Sequence, residues 1–271
     1  MAQLVNRPLK QDSACDQETK TASDSQPDEP PPLDLLRDGS LFLDFDGTLV
    51  EIVERPDAVA VDRRLATLMS RLADRLQGRL AVVSGRPRAE IDALFGGDGF
   101  AVGGSHGLEL RWPDGRMIAP ETPAGLTEIA AQMRALVTAH PGILIEEKPF
   151  GIALHYRGAP HAAADCHSLA EQLAAESGLA LQAGKMVVEL RAAGADKGAA
   201  LRAFMAEPPM RGTRPLFVGD DLTDEDAFAA AAALGGHGIL VGPPRPSAAH
   251  YRLPDVGAVR AWLESAEKAL A

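Results

Sequence analysis

Cysteine is nearly absent. Cys15 and Cys166 are the only two in 271 residues, which excludes a disulfide framework and a thiolate zinc cage. Basic residues are also short, with 27 Lys and Arg against 38 Asp and Glu and a formal net charge of −11. A general binder of nucleic acid or of anionic membranes needs basic surface, so neither is expected as a partner. A few local cations still suffice to hold one phosphate. No apolar run approaches the roughly 18 residues of a membrane span. The first residues, MAQLVNRPLKQDS, lack the apolar stretch of a secretory leader, so a soluble, cytoplasmic protein is expected. GxxxxGKS/T, GxGxxG and HExxH are all missing, and His161 and His167 are not at helical ligand spacing, which argues against zinc.

What is present organises into three parts. Residues 1–34 are polar, acidic and end in a proline triplet, a composition that cannot offset its own ordering entropy, so a disordered tail is expected. From Leu41 the chain alternates buried-type strands (LFLDF, LAVV, FAVGG) with amphipathic helices. The first of these helices has Asp62 as its N-cap and Gly78 as its stop. Such a β-α-β-α-β rhythm predicts an α/β fold with a parallel sheet. The stretch 112–190 reads differently: a hairpin at Asp114-Gly115, then helix, two strands, helix, two strands. That pattern needs its own core and is expected to be an inserted α+β domain. After Gly194 the first rhythm resumes, so the core comprises 35–111 and 191–271. The expected fold class is α/β, a Rossmann-like parallel-sheet core with an inserted α+β cap.

Polar residues recur where parallel strands end. Asp44 and Asp46 close the first strand, Ser84-Gly85-Arg86 follows LAVV, and Gly219-Asp220-Asp221 follows PLFV. The carboxyl ends of an open α/β sheet are where ligands bind. Each group also has a local explanation: Asp-Gly turns, Ser84 as a helix cap, Asp221 or Asp224 likewise, and Lys197 as a solvated lysine. Three strand ends delivering such residues to one rim point to chemistry. Clustered carboxylates without His or Cys suit a hard cation, for which Mg²⁺ is expected, bridging to a phosphate whose oxygens Thr48, Ser84 and Lys197 would hold. On the insert, Glu147 and Lys148, His155 and Arg157, and Lys185 and Glu189 lie on expected strands. They form either a solvated sheet face or a sugar-binding one.

LDFDGTL, VVSGR, DKG and GDD stand in the order of the four motifs of the haloacid dehalogenase-like phosphatases, which this chain resembles from Leu41 onward. SGRP, GSHGLELR, EEKPFGIALHYR, GKMVVELRAAGADKG and FVGDDLTDEDAF resemble the trehalose-6-phosphate phosphatase family within that superfamily. The resemblance implies Mg²⁺-dependent hydrolysis of a phosphorylated disaccharide, with Asp44 as nucleophile and Asp46 as general acid and base. It implies Asp44, Asp46 (through its carbonyl) and Asp220 at the metal, with Lys197 on the phosphoryl group. It places Asp221 and Asp224 around them, as a further metal neighbour and an orienter of Lys197. Lys148, His155, Lys185 and Glu189 are the implied sugar contacts on the cap, and Arg86 and His106 the contacts from the core. An acid that protonates the leaving oxygen must arrive protonated, so an environment that raises the pKa of Asp46 is expected. A trehalose-phosphate synthase is the pathway partner this implies. A sucrose-phosphate or mannosyl-phosphoglycerate phosphatase, a phosphohexomutase and a silent sugar-phosphate sensor are the competing readings.

Overall fold

In the computed structural model, residues 30–53, 58–97 and 99–271 are described. Most of the expected tail, residues 1–29, lies outside them. Its last five residues are placed rather than loose: the Trp262 indole N–H donates to the Pro31 carbonyl (2.9 Å) and Leu33–Leu36 makes a 3₁₀ turn with Leu36 buried.

Six parallel strands form the centre of an eight-stranded sheet. They are β1 (Gly39–Leu43), β2 (Leu80–Val83), β3 (Ala101–Gly104), β10 (Arg214–Gly219), β11 (His237–Val241) and β12 (Tyr251–Leu253). The antiparallel β4 (Glu109–Arg111) and β5 (Met117–Ile118) extend one edge, and the order is β12-β11-β10-β1-β2-β3-β4-β5. The chain winds outward from β1 in one direction through β2 and β3. It then returns to the other side of β1 with β10. The strand order therefore reverses between β1 and β10, the place where such sheets hold ligands.

Both faces of this sheet are covered, which is why its strands read as continuous apolar runs. Leu41, Leu43, Val82 and Val218 face α1 (Arg63–Arg75) and α7 (Val256–Ala269), while α2 (Arg88–Phe95) adds Ile91 to the same cluster. Phe42, Val83 and Phe217 face the other way, onto Leu201 and Phe204 of α5 (Lys197–Met205) and Phe228 of α6 (Glu225–Ala233). The Asp62 side chain caps α1 by accepting from Leu65 N–H (2.8 Å), as the sequence predicts. The three-residue β12 is an edge strand with no counterpart in the sequence reading.

The insert is a second layer with its own core. Its antiparallel strands β6 (Leu144–Lys148), β7 (Gly151–His155), β8 (Ala180–Gly184) and β9 (Val187–Arg191) run in the order β6-β7-β9-β8. Helices α3 (Leu126–Ala139) and α4 (Ala163–Ser177) cover one face, burying Met133, Leu154, Cys166, Leu173, Val188 and Leu190 together. By the period of two along a strand, Glu146, Lys148, His155 and Glu189 lie on the face those helices leave open. The expected insert boundary at 112 cuts through a hairpin: Met117 and Ile118 pair with Arg111 and Leu110, so β5 belongs to the larger sheet.

Candidate active site

One cleft of about 640 Å³ runs between the carboxyl ends of the parallel strands and the open face of the insert sheet. It is lined from below by Asp44, Asp46, Ser84, Arg86, His106, Lys197, Asp220 and Asp221, and from above by Lys148, His155, Lys185 and Glu189, with Glu146 beside them. Thirteen of the sixteen candidates from the sequence, Arg157 among them, therefore share one wall or the other. Thr48, Glu147 and Asp224 do not.

Asp44 leaves the end of β1 anchored by its own N–H to the Val218 carbonyl (2.9 Å). Lys197, the first residue of α5, is buried and donates from Nζ to Asp44 Oδ1 and Asp224 Oδ1, both at 2.6 Å. Asp196 caps that helix by accepting from Ala199 N–H (2.6 Å), which fixes where Lys197 emerges. Carboxylate oxygens of Asp44, Asp220 and Asp224 all lie within 4.8 Å of one another. Three carboxylates around one ammonium leave two negative charges uncompensated in a buried place. Burial, opposed by Lys197 and reinforced by Asp224 and Asp220, holds Asp44 well above the usual carboxylate range. Burial and the neighbouring Asp224 push Asp220 up to about 6. Burial works against the Lys197 charge, but Asp224 and Asp44 outweigh it and keep its pKa raised.

The donor set fits a hard divalent cation. All ligands on offer are carboxylate oxygens, and Asp220 Oδ1 is buried with no hydrogen-bond partner, an orphan that a cation would satisfy. Asp224 is differently placed, since Oδ1 takes Lys197 and Oδ2 takes the Asp221 N–H (2.9 Å), so both its oxygens already hold donors. The Asp221 carboxylate turns away to accept from Leu222 N–H (2.6 Å), as the N-cap of a capping box. Gly47 brings the β1 loop against this cluster: it sits at φ +84°, and a Cβ there would fall 2.3 Å from Asp220 Oδ2.

Thr48 is fully buried and does not line the cleft, and its hydroxyl has no partner among the described residues. Arg86 donates to both oxygens of Asp46, from Nε at 2.7 Å and Nη2 at 2.9 Å. Arg86 also pairs with Glu90, and its guanidinium carbon lies 5.5 Å from the Phe45 ring centroid, so in this arrangement it clamps Asp46. Glu147, left open by the sequence between a solvated and a sugar-binding face, points out to Arg134, away from the cleft.

On the insert face, Lys148 donates to Glu189 (2.8 Å), and His155 Nε2 pairs with Glu146 (2.7 Å). Glu146 is the charged cleft residue that sequence reasoning missed; Gln182 and Thr223 also line the cleft. Glu146 alternates with Lys148 across Glu147, so strand periodicity would have found it once the open face was known. Lys185 lies in the tip between β8 and β9 rather than on a strand, next to Met186 at φ +64°. His106 reaches the cleft from a left-handed turn (φ +57°), with burial and the nearby Lys197, Lys148 and Arg191 holding its imidazole well below its ordinary pKa.

The sequence model described as trehalose-phosphatase matches residues 42–256. A protein named probable trehalose-phosphate phosphatase from Sinorhizobium fredii is 42% identical over 228 residues, covering 83% of this chain and 86% of the relative. The trehalose-6-phosphate phosphatase of Escherichia coli is 39% identical over 231 residues, covering 84% and 86%. Among solved structures, one described as a trehalose-6-phosphate phosphatase related protein superimposes with a TM-score of 0.74 at 29% identity, over 84% of this chain and 97% of its own.

Proposed function

The chain belongs to the trehalose-phosphatase family and is an enzyme, and from that premise we propose that it hydrolyses trehalose 6-phosphate to trehalose and phosphate through an aspartyl-phosphate on Asp44. The observation that carries the mechanism is the buried Lys197 bonded to both Asp44 and Asp224 at the reversal point of the sheet. Lys197 orients the Asp44 carboxylate and stands beside it to neutralise charge on a phosphoryl group, work that is mostly positioning and electrostatics. Asp224 orients Lys197. Ser84, buried at the end of β2, supplies a further phosphate donor. Asp44 attacks phosphorus as the ester oxygen leaves; Asp46, two residues on, delivers the proton to that oxygen and later takes one from the attacking water.

Asp44, the Asp46 carbonyl and Asp220 are the groups that would hold Mg²⁺, which when bound supplies charge neutralisation for an incoming phosphate. Asp220 gives this a pH dependence. Its pKa is raised from the ordinary value of about 4 to about 6, so its contribution to stability is present below pH 4 and lost as pH rises through 6. Cation binding needs the ionised carboxylate. The rise in Tm on adding Mg²⁺ is therefore expected to be larger at pH 7 than at pH 5, and an equal or reversed difference would contradict Asp220 as a ligand.

Substrate choice is placed on the insert face. Lys148, Glu189, Glu146 and His155 hold one another in a paired array of donors and acceptors, which suits a ligand dense in hydroxyls. Lys148→Ala is expected to raise KM for trehalose 6-phosphate by about tenfold or more while leaving turnover of a small aryl phosphate unchanged, since one lost charge-assisted hydrogen bond is worth about that factor. Equal effects on both esters would place Lys148 outside sugar recognition.

The test of the reading is product analysis on trehalose 6-phosphate, sucrose 6-phosphate, glucose 6-phosphate and mannosyl-phosphoglycerate, with Mg²⁺ and with chelator. One trehalose per phosphate, from trehalose 6-phosphate in strong preference and only with Mg²⁺, is the expected result. Preference for another ester overturns the sugar assignment. Phosphate that stays on sugar, in a reaction dependent on a sugar bisphosphate, points to a mutase.

A further inference from the structure

We infer that Glu109, which does not touch the cleft, is a positioning residue that fixes Arg86 and His106 together on the core wall. Helix α2 begins after Pro87, which offers no capping side chain. The Glu109 carboxylate, buried at the start of β4, takes that place from the neighbouring strand: Oε2 accepts from the Arg88 N–H at 3.0 Å. A carboxylate there satisfies an orphan donor and complements the positive end of the helix.

The same oxygen accepts from the Ser105 hydroxyl at 2.8 Å. Ser105 and His106 are consecutive non-glycine residues in the left-handed region, at φ +51° and +57°. Such backbone persists only when its surroundings over-determine it. Here the Ser105 N–H donates to the Arg86 carbonyl (2.8 Å), the His106 N–H donates to the Ser84 carbonyl (2.9 Å), and Glu109 holds the Ser105 side chain. The backbones approach closely here. A Cβ on Gly104 would lie 2.4 Å from Arg88 N, and one on Gly85 would lie 2.6 Å from the His106 ring. One carboxylate thus ties the turn that aims His106 to the helix start that follows Arg86, and Arg86 grips Asp46. The serine hydroxyl at 105 finds its use in this link.

The kinetic part of the inference rests on the proposed roles of Asp44 and Asp46; the structural part does not, and two readouts separate them. Hydrogen exchange on the ligand-free full chain should be faster in Glu109→Ala over 86–92 and 104–107, with α1 unchanged, and Glu109→Gln should restore protection. In turnover of trehalose 6-phosphate, Glu109→Ala should lower kcat by about tenfold with KM moving less than kcat, because displacement of a clamp by a fraction of an ångström costs about that much. Glu109→Gln should recover most of it. Leu72→Ala on α1, buried away from the cleft, supplies a destabilised control that should keep its kcat well below its Tm. If Glu109→Ala fails to fold, Ser105→Ala carries the same readouts, with faster exchange over 104–107 and a smaller fall in kcat. Wild-type exchange in both segments, or a kcat loss that Leu72→Ala reproduces at equal loss of Tm, would overturn the inference. A wild-type chain inactive on every ester tested would overturn the proposed function and leave the exchange pattern to decide the role of Glu109.

Discussion

Asp44→Asn is expected to lower phosphate release by about 10³-fold or more while the protein stays folded, a size typical of losing a nucleophile. The amide keeps the volume of the carboxylate, so nothing in the packing at the end of β1 changes. Its nitrogen and oxygen are too weakly nucleophilic to attack phosphorus, and one cation ligand is lost with the charge. Stability moves little, because Asp44 is among three carboxylates crowded within 4.8 Å and burial already works against its charge. Lys197 keeps Asp224 as its partner. Steady-state kinetics and a melting curve on the same preparation check both halves. Activity within tenfold of wild type would remove Asp44 from the reaction, and an unfolded variant would show that the carboxylate is structural.

Lys197→Met should be the most damaging change to the core. The lysine is 4% exposed and its two partners are 4% and 0% exposed, so its loss leaves carboxylates buried without a counter-charge. Breaking a buried pair from one side costs about 3–5 kcal/mol. In a protein of this size that corresponds to a fall in Tm of roughly 10 °C. Turnover should fall by at least about 10²-fold, since a charged donor aimed at the phosphoryl group is removed. Combining it with Asp224→Asn relieves the uncompensated charge, so the double variant should regain Tm but not activity. Recovery of both would mean that Lys197 serves only to balance Asp224. Recovery of neither would mean that packing, not charge, sets the loss.

How much of this could be read from residues alone depends on how local the causes are. LFL, LAVV and PLFV are buried on both faces, so each gives an unbroken apolar run, and the polar residues after them mark strand ends directly. Asp62 as a cap and the span of α7 are equally local. The three-residue β12 buries only Leu253 and is held by its place beside β11, so no periodicity announces it. The hairpin at 109–118 has a readable turn, but which sheet it joins is decided by pairing with β3. In the site, the candidates at strand ends came together because the topology sends every parallel strand end to one rim. Residues alone could not decide where a side chain had two ways to point. Thr48 turned inward, Glu147 outward, and Arg86 found Asp46 across 40 residues of sequence. The role of Glu109 depends on a helix start and a left-handed turn meeting over one carboxylate, which neither segment shows by itself.

The most direct test of the account is to quench the enzyme in acid during turnover of trehalose 6-phosphate with Mg²⁺ and to map phosphate on the peptide that contains Asp44. The account predicts phosphate on Asp44 while substrate lasts, gone once it is exhausted, and absent in Asp44→Asn. Phosphate carried by another residue, or released at full rate by Asp44→Asn, would contradict it.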